Sequence, residues 1–301
     1  MNIQSVGLFG KYKDASVRDS IERLRSHLTA RGVHVFIGET TSHTVPGPRV
    51  SDNDADLDEI IDLAIVVGGD GTMLHVAREL SQHTLPVIGI NLGRLGFLTD
   101  IPADTMLEDI DQVLDGKHYL EERMMLSVEI HADKEIVYQG IGLNDIVISK
   151  GEVARLIETI TYVDDEFVTR TRGDGLVIAT PTGSTAYSLS AGGPILHPTL
   201  AAIVVVPICP HTLSNRPLVL SENSLICIEA VEFVESAAHV AVDGFIRYSL
   251  KGPEKIYIRR SEQTVRLLRT SNHNHYEGLR SKLGWGTINS QPLNNSETDP
   301  A

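Results

Sequence analysis

Apolar positions along the chain change texture near Tyr119. Before it, short Val/Ile runs alternate with segments whose apolar residues recur at helical spacing; after it, short runs that often alternate apolar with polar are separated by turn residues. Ile3 to Phe9 predicts an opening strand, and Ile21, Leu24 and Leu28 mark a helix ending near Gly32. Val33 to Ile37 and Pro86 to Ile90 predict further strands, and Asp104 to Leu114 a helix closed by Asp115-Gly116. Gly38 to Asp58 mixes Thr, Pro, Gly and Asp without periodicity and reads as a mobile surface loop. Alternation of strand and helix implies a parallel sheet covered on both faces, with ligands at the carboxyl ends of its strands. The second half contains Leu126 to Ile130, Ile146 to Ile148, Thr159 to Val163, Leu225 to Ile228 and Lys255 to Ile258, which together predict a mainly antiparallel β domain. The expected organisation is thus an α/β domain over residues 1–120, a β domain over 121–270, and a C-terminal segment over 271–301, polar and Asn-rich, with a disordered tail.

The first half is organised around Ile65-Val66-Val67-Gly68-Gly69-Asp70-Gly71-Thr72, an apolar run that stops at a turn and leads into Leu74, Ala77 and Leu80 at helical spacing. Strand, glycine turn and helix follow in that order. Glycines there remove the Cβ atoms that would block a ligand and leave backbone N–H groups and a helix N-terminus for phosphate oxygens. Thr72 can cap the helix or touch phosphate. Asp70 is the odd component, because a carboxylate beside an anion is repulsive unless it serves a metal or takes a proton. Gly-Gly-Asp-Gly is equally what an ordinary tight turn uses. The octet has neither the Gly-Lys-Ser/Thr of a P-loop nor the spacing of a G-x-G-x-x-G fingerprint.

With 301 residues, 42% hydrophobic and 22% charged, the composition is that of a soluble globular protein of one large or two ordinary domains. Apolar runs such as Ala201 to Val206 are too short to span a bilayer, and the N-terminus lacks a basic-then-apolar signal, so cytoplasmic residence and no membrane partner are expected. A net charge of −14 argues against non-specific nucleic-acid binding. Cys209 and Cys227 are too few for a disulfide scaffold and read as reduced core thiols.

The densest chemistry lies from Arg172 to Pro194, where a strand leads into small hydroxyls and glycines around Thr180-Pro181-Thr182-Gly183-Ser184-Thr185. Such a surface lets backbone approach a ligand while hydroxyls supply directed hydrogen bonds, and Tyr187 offers an aromatic face. Asn144-Asp145 puts two polar groups where a buried strand begins, although Asn-Asp also makes ordinary turns.

These residues together give the chain its family likeness. Gly68-Gly69-Asp70-Gly71-Thr72, Gly93 to Leu98, Asn144-Asp145, the Gly173 to Pro194 block and Pro207 to Pro217 with its Pro-His-Thr-Leu-Ser-Asn-Arg-Pro run resemble the bacterial NAD kinases. The first motif is shared with lipid kinases and phosphofructokinases; the last two are specific. The resemblance implies an N-terminal α/β domain, a C-terminal β domain, and a segment around Leu283-Gly284-Trp285 that packs back on the first. It implies that ATP and a divalent ion such as Mg²⁺ phosphorylate the 2′-hydroxyl of the adenosine ribose of NAD, with Asp70 as general base and Gly68, Gly69, Gly71 and Thr72 about the phosphates. Carried over by position, Asp70, Gly71, Phe97, Asn144, Asp145, Thr185, Ala186, Tyr187, Ser188, Leu189 and Ser190 would contact NAD. Arg155, Arg172 and Asp174 match positions near the nicotinamide, some of them offered from a neighbouring subunit of a homodimer or homotetramer. Many relatives carry glutamine two residues after the aspartate matching Asp243, whereas here Phe245 either replaces that contact by stacking or removes it. A lipid or sugar kinase with the same turn, and a dinucleotide-sensing regulator, are the rival readings; Asn144-Asp145 with the Thr180 to Ser190 block speaks against the first, Asp70 against the second.

Overall fold

In chain order the first half comprises β1 (Ser5–Gly10), α1 (Ala15–Ala30), β2 (His34–Gly38), β3 (Arg49–Val50), α2 (Leu57–Ile60), β4 (Leu63–Val67), α3 (Asp70–Glu79), β5 (Pro86–Asn91), β6 (Ile101–Pro102) and α4 (Met106–Leu114). The second comprises β7 (His118–Ala132), β8 (Glu135–Gly142), β9 (Asp145–Lys150), β10 (Ile157–Val163), β11 (Glu166–Gly173), β12 (Gly175–Ala179), α5 (Tyr187–Ser190), β13 (Ala202–Ile208), β14 (Leu218–Ser221), β15 (Ile226–Val231), β16 (Ala238–Val242), β17 (Phe245–Ser249), β18 (Lys255–Thr270) and α6 (His275–Leu283). The computed structural model describes all residues except 1, 11–14, 40, 42–44, 52–53, 94–95, 152–155, 232–237 and 286–301.

A short Val/Ile-rich run with no polar side chain suits a strand covered on both faces, and β4 is buried at every position, paired in parallel with β1 and β5. Val17, Ile21, Leu24 and Leu28 of α1 and Met106, Ile110 and Val113 of α4 close one face. Leu57 of α2 and Met73, Val76 and Ala77 of α3 close the other, so the buried stripe of α3 runs from Met73, with Leu74 only half-buried. The sheet does not end at β5, because Pro86 and Val87 pair in parallel with Arg266 and Leu267 of β18, which carries it on to β15, β10 and β11. β7, which runs through residue 120, pairs with β18 along most of its length. A second sheet, in the order β14-β13-β12-β9-β16-β17, is antiparallel throughout. Its inner side chains, among them Ile146, Ile148, Ile178 and Val240, pack on Leu126, Ile228, Ile256 and Ile258 of the first. The fold is therefore the expected pairing of a parallel α/β half with an antiparallel β half.

Three expectations need correction. The segment from Gly38 to Asp58 is not simply a surface loop: Thr41, Val45 and Val50 are buried, and β3 pairs in parallel with β2. Scarce but well-placed apolar residues, too irregular to show a period, anchor it; residues 40, 42–44 and 52–53 of that stretch lie outside the described ones. The chain after Thr270 continues into α6, because Asn274 caps it by accepting from the N–H groups of Tyr276 and Glu277, Leu279 is buried, and Gly284 ends it in the left-handed region. The remainder of the tail, 286–301, lies outside the described residues. Cys227 is buried as expected, but Cys209 is exposed at the end of β13.

Candidate active site

Where β4 ends, the Gly68 N–H donates to the Ile90 carbonyl (2.9 Å), so the first glycine still belongs to the sheet. Gly69 is the N-cap of α3 and supplies no side chain; Thr72 is not the cap, and its N–H is taken by the Gly69 carbonyl (2.9 Å). Gly69 and Gly71 are exposed, and among the described residues no protein acceptor meets the N–H groups of Asp70 or Gly71. That open helix terminus is where an anion is favoured. A cavity of about 420 Å³ lined by Arg78, Tyr138, Arg247 and Gln263 lies at the opposite end of the same helix.

Asp70 faces the turn after β5. Its Oδ1 accepts from the N–H groups of Leu98 (3.1 Å) and Thr99 (3.1 Å) and from Thr99 Oγ1 (2.9 Å), while Oδ2 accepts from the Phe97 N–H (2.7 Å). Gly96 is obligatory there, since a Cβ would overlap the Asp70 carboxylate. Lys282 Nζ of α6 lies 3.7 Å from Oδ2 and 3.9 Å from the centroid of the Phe97 ring. Burial lowers the Lys282 ammonium below the ordinary lysine range, against the pull of Asp70.

The second cluster forms where β9 starts beside the end of β12, with Asp145 opposite Ala179. Thr180 Oγ1 donates to the Leu143 carbonyl (2.6 Å), and a Cβ at Gly183 would overlap the Asn144 carbonyl, so the hydroxyl-rich block is pressed onto Asn144-Asp145. Asp243, at a left-handed φ of 49° in the turn between β16 and β17, accepts from the N–H groups of Leu143 (3.0 Å), Asn144 (2.7 Å) and Asp145 (3.3 Å). Asp243 thus shapes this corner, a role its Asp-Gly turn sequence hinted at but did not specify. From the block, Thr185 and Ala186 are half-buried, Tyr187 and Ser190 exposed, Ser188 buried and Leu189 half-buried. Phe245 is exposed, with the Arg247 guanidinium 5.3 Å from its ring centroid.

Burial and then the Asp243 charge push the Asp145 carboxyl up to about 7. Its folded value thus lies above its unfolded one, so the native chain binds the extra proton and stability falls as pH rises from about 4 to about 7. Asp145→Asn is expected to raise Tm at pH 8, with the gain vanishing near pH 4, as read by scanning calorimetry. A gain that persists at pH 4 would show that charge is not the cause.

A buried ionic network, invisible as a motif, joins the two clusters. Arg269 of β18, 1% exposed, donates to the carbonyls of Leu98 (3.1 Å) and Phe97 (3.2 Å) and to Glu121 (3.3 Å), and Asp100 Oδ1 lies 2.9 Å from its Nη1. Arg123 bridges Glu121 (2.8 Å) to Thr182 Oγ1 (3.2 Å), and His273 reaches Asp100 (2.5 Å). Although burial opposes it, the His273 hydrogen bond and the Arg269 charge hold the Asp100 carboxyl below its usual range. The turn at 97–100 is thereby gripped through its N–H groups by Asp70 and through its carbonyls by Arg269.

Two expected residues stand apart. Asp174 pairs with Lys150 (2.6 Å) and Arg172 is exposed, both beyond the far end of β12 from Thr180, a strand length of roughly 17 Å. Arg155 lies outside the described residues.

The chain is similar to known proteins over most of its length. The ATP-NAD kinase N-terminal domain family matches residues 6–119, and the ATP-NAD kinase C-terminal domain family matches residues 143–270. The NAD kinase of Pseudomonas putida (strain GB-1) is 44% identical over 285 residues, 94% of this chain and 96% of that protein. That of Pseudomonas entomophila (strain L48) is 43% identical over the same span and coverage. Yeast NADH kinase, crystallised with NADH, superposes with a TM-score of 0.84 at 28% identity, covering 95% of this chain and 89% of that one. An NAD kinase from Archaeoglobus fulgidus in complex with ATP superposes with a TM-score of 0.72 at 27% identity, covering 93% and 98%.

Proposed function

The chain belongs to the ATP-NAD kinase family, and from that premise we propose that phosphoryl transfer takes place at the open terminus of α3, with Asp70 receiving the proton. The protein is an NAD kinase: ATP phosphorylates NAD to give NADP. In the proposed step the 2′-hydroxyl oxygen of the adenosine ribose bonds to the terminal phosphorus of ATP, the bond to the β-phosphate oxygen breaks, ADP leaves, and the hydroxyl proton passes to Asp70. Positioning and charge neutralisation must do most of the work, because the transition state of phosphoryl transfer is loose.

The carrying observation is that Asp70 and the exposed Gly69 and Gly71 share one terminus, locked to Phe97, while Thr180 and Gly183 press on Asn144-Asp145 beside it. Gly68 closes the strand; Gly69, Gly71 and Thr72 shape the phosphate side. We assign Phe97, Asn144, Asp145 and the 185–190 block to the dinucleotide. Asp70 Oδ1 is met by three donors and Oδ2 by the Phe97 N–H, and among the described residues no group of three or more His, Cys, Asp or Glu comes together, so we do not place Mg²⁺ in a preformed cage of protein ligands. Mg²⁺ enters instead with the nucleotide, as Mg-ATP, part of the substrate. The test is to incubate the protein with NAD, Mg²⁺ and ATP and to measure NADP, with inorganic polyphosphate and NADH as alternative donor and acceptor. No NADP from any pairing would end the reading.

We divide the chain at 120 and 270 into α/β, β and C-terminal parts. We place it in the cytoplasm; among the described residues no helix is long and apolar enough to cross a membrane. We also propose a homodimer or homotetramer. Arg172 and Asp174 sit at the opposite end of β12 from the Asn144 corner, and the edge strands expose Phe167, Val219 and Ile246. Light scattering is expected to give a dimer or tetramer; an active monomer would contradict it.

A further inference from the structure

We infer that Lys282 of α6 is a phosphate-binding cation of the donor site, held in the ligand-free chain against Asp70 Oδ2 and the face of Phe97. The inference rests on the NAD kinase reading and adds a residue from the C-terminal helix to it.

Among the described residues Lys282 is the one cation within ion-pair distance of Asp70. Among the described residues Oδ1 is filled by three donors, whereas Oδ2 accepts the Phe97 N–H alone, so the ammonium occupies the remaining face of the oxygen that could take a proton. An attacking hydroxyl needs that face. The ammonium is poorly served where it stands: it has three donors to place, yet among the described residues it meets one oxygen at 3.7 Å and an aromatic ring. Phosphate oxygens at the neighbouring Asp70 and Gly71 N–H groups would be stronger acceptors, and a highly anionic donor approaching a carboxylate needs a cation beside it. Transfer of Lys282 to the phosphates would neutralise them and uncover Oδ2 in one movement, so donor binding would expose the base.

The carrier of the lysine is well anchored. Asn274 caps α6, Leu279 is buried, and His275 packs edge-on against His197 with ring centroids 5.0 Å apart. A swing of the lysine side chain is enough, without displacement of the helix.

Lys282→Met keeps length and an apolar contact with Phe97 but removes the charge; Lys282→Arg keeps the charge. The Met variant is expected to lower kcat/KM for ATP by about 10–100-fold, mainly through KM, while donor-free NAD affinity by calorimetry stays the same or tightens. The Arg variant should retain most of the activity. A second readout needs no turnover: Trp285, the single tryptophan, lies three residues further on, and its fluorescence should respond to inorganic tripolyphosphate in the wild type and the Arg variant but not in the Met variant. A wild-type KM for ATP in the Met variant would overturn the inference, as would an Arg variant as impaired as Met, which would make the role one of packing. Should Lys282→Met fail to fold, Lys282→Gln replaces it. Wild-type protein that makes no NADP would instead bring down the kinase reading, and the tripolyphosphate response would still decide the place of Lys282.

Discussion

Asp70→Asn is expected to reduce turnover by about 10²–10⁴-fold, the usual contribution of a positioned general base, in a chain that still folds. The substitution is not structurally silent. Asparagine can keep an oxygen on the Leu98 and Thr99 donors, but its amide nitrogen then faces the Phe97 N–H, donor against donor, where Oδ2 accepted at 2.7 Å. A stability loss of about 1–3 kcal/mol should accompany the loss of turnover. Thr99→Val separates the two effects, since it deletes one Oδ1 partner and leaves the carboxylate intact. If Asp70 accepts the proton, Thr99→Val melts lower yet keeps most of its turnover. If Asp70 only steadies the turn, both variants lose turnover in step with stability. A metal role would show as partial rescue of Asp70→Asn by high Mg²⁺. Near-normal turnover in Asp70→Asn would remove the base assignment altogether.

Arg269→Met should produce the largest loss of stability among single changes near the site, about 3–5 kcal/mol, because it breaks a buried ionic network from one side. Without the guanidinium, Asp100 and Glu121 lose their shared partner, and the carbonyls of Phe97 and Leu98 lose their donors. Arg269→Lys should recover only part of this, since an ammonium cannot reproduce the forked contacts. Activity should fall as well, through the turn that Asp70 holds from the other side. Denaturant unfolding followed by circular dichroism measures the loss; a change under 1 kcal/mol would mean that the network contributes no more than a surface ion pair does.

The strands of both halves were legible because burial on two faces leaves an uninterrupted Val/Ile run and burial on one leaves alternation. The glycine turn and the hydroxyl block were legible too, since a stretch without side chains, or with only small ones, is conspicuous. What could not be read was pairing between distant residues. Asp243 looks like any Asp-Gly turn until its carboxylate is seen receiving the N–H groups of Leu143, Asn144 and Asp145. Arg269 belongs to no motif, yet it is among the most deeply buried side chains. Lys282 sits in a polar stretch without the periodicity that marks a helix, because α6 owes its existence to one cap, one glycine stop and one buried leucine.

Sixteen-residue β18 has a consequence for how the chain is made. The edge of β5 left open at Pro86 and Val87 is filled only by Arg266 and Leu267, some 180 residues later, and all of the intervening β strands are synthesised first. A ribosome extruding this protein therefore holds an α/β half with an unsealed sheet edge until almost the whole chain has emerged, which calls for protection of that edge during translation. Loop closure over such a distance also favours slow folding, limited by the arrival of one strand rather than by the formation of either sheet alone.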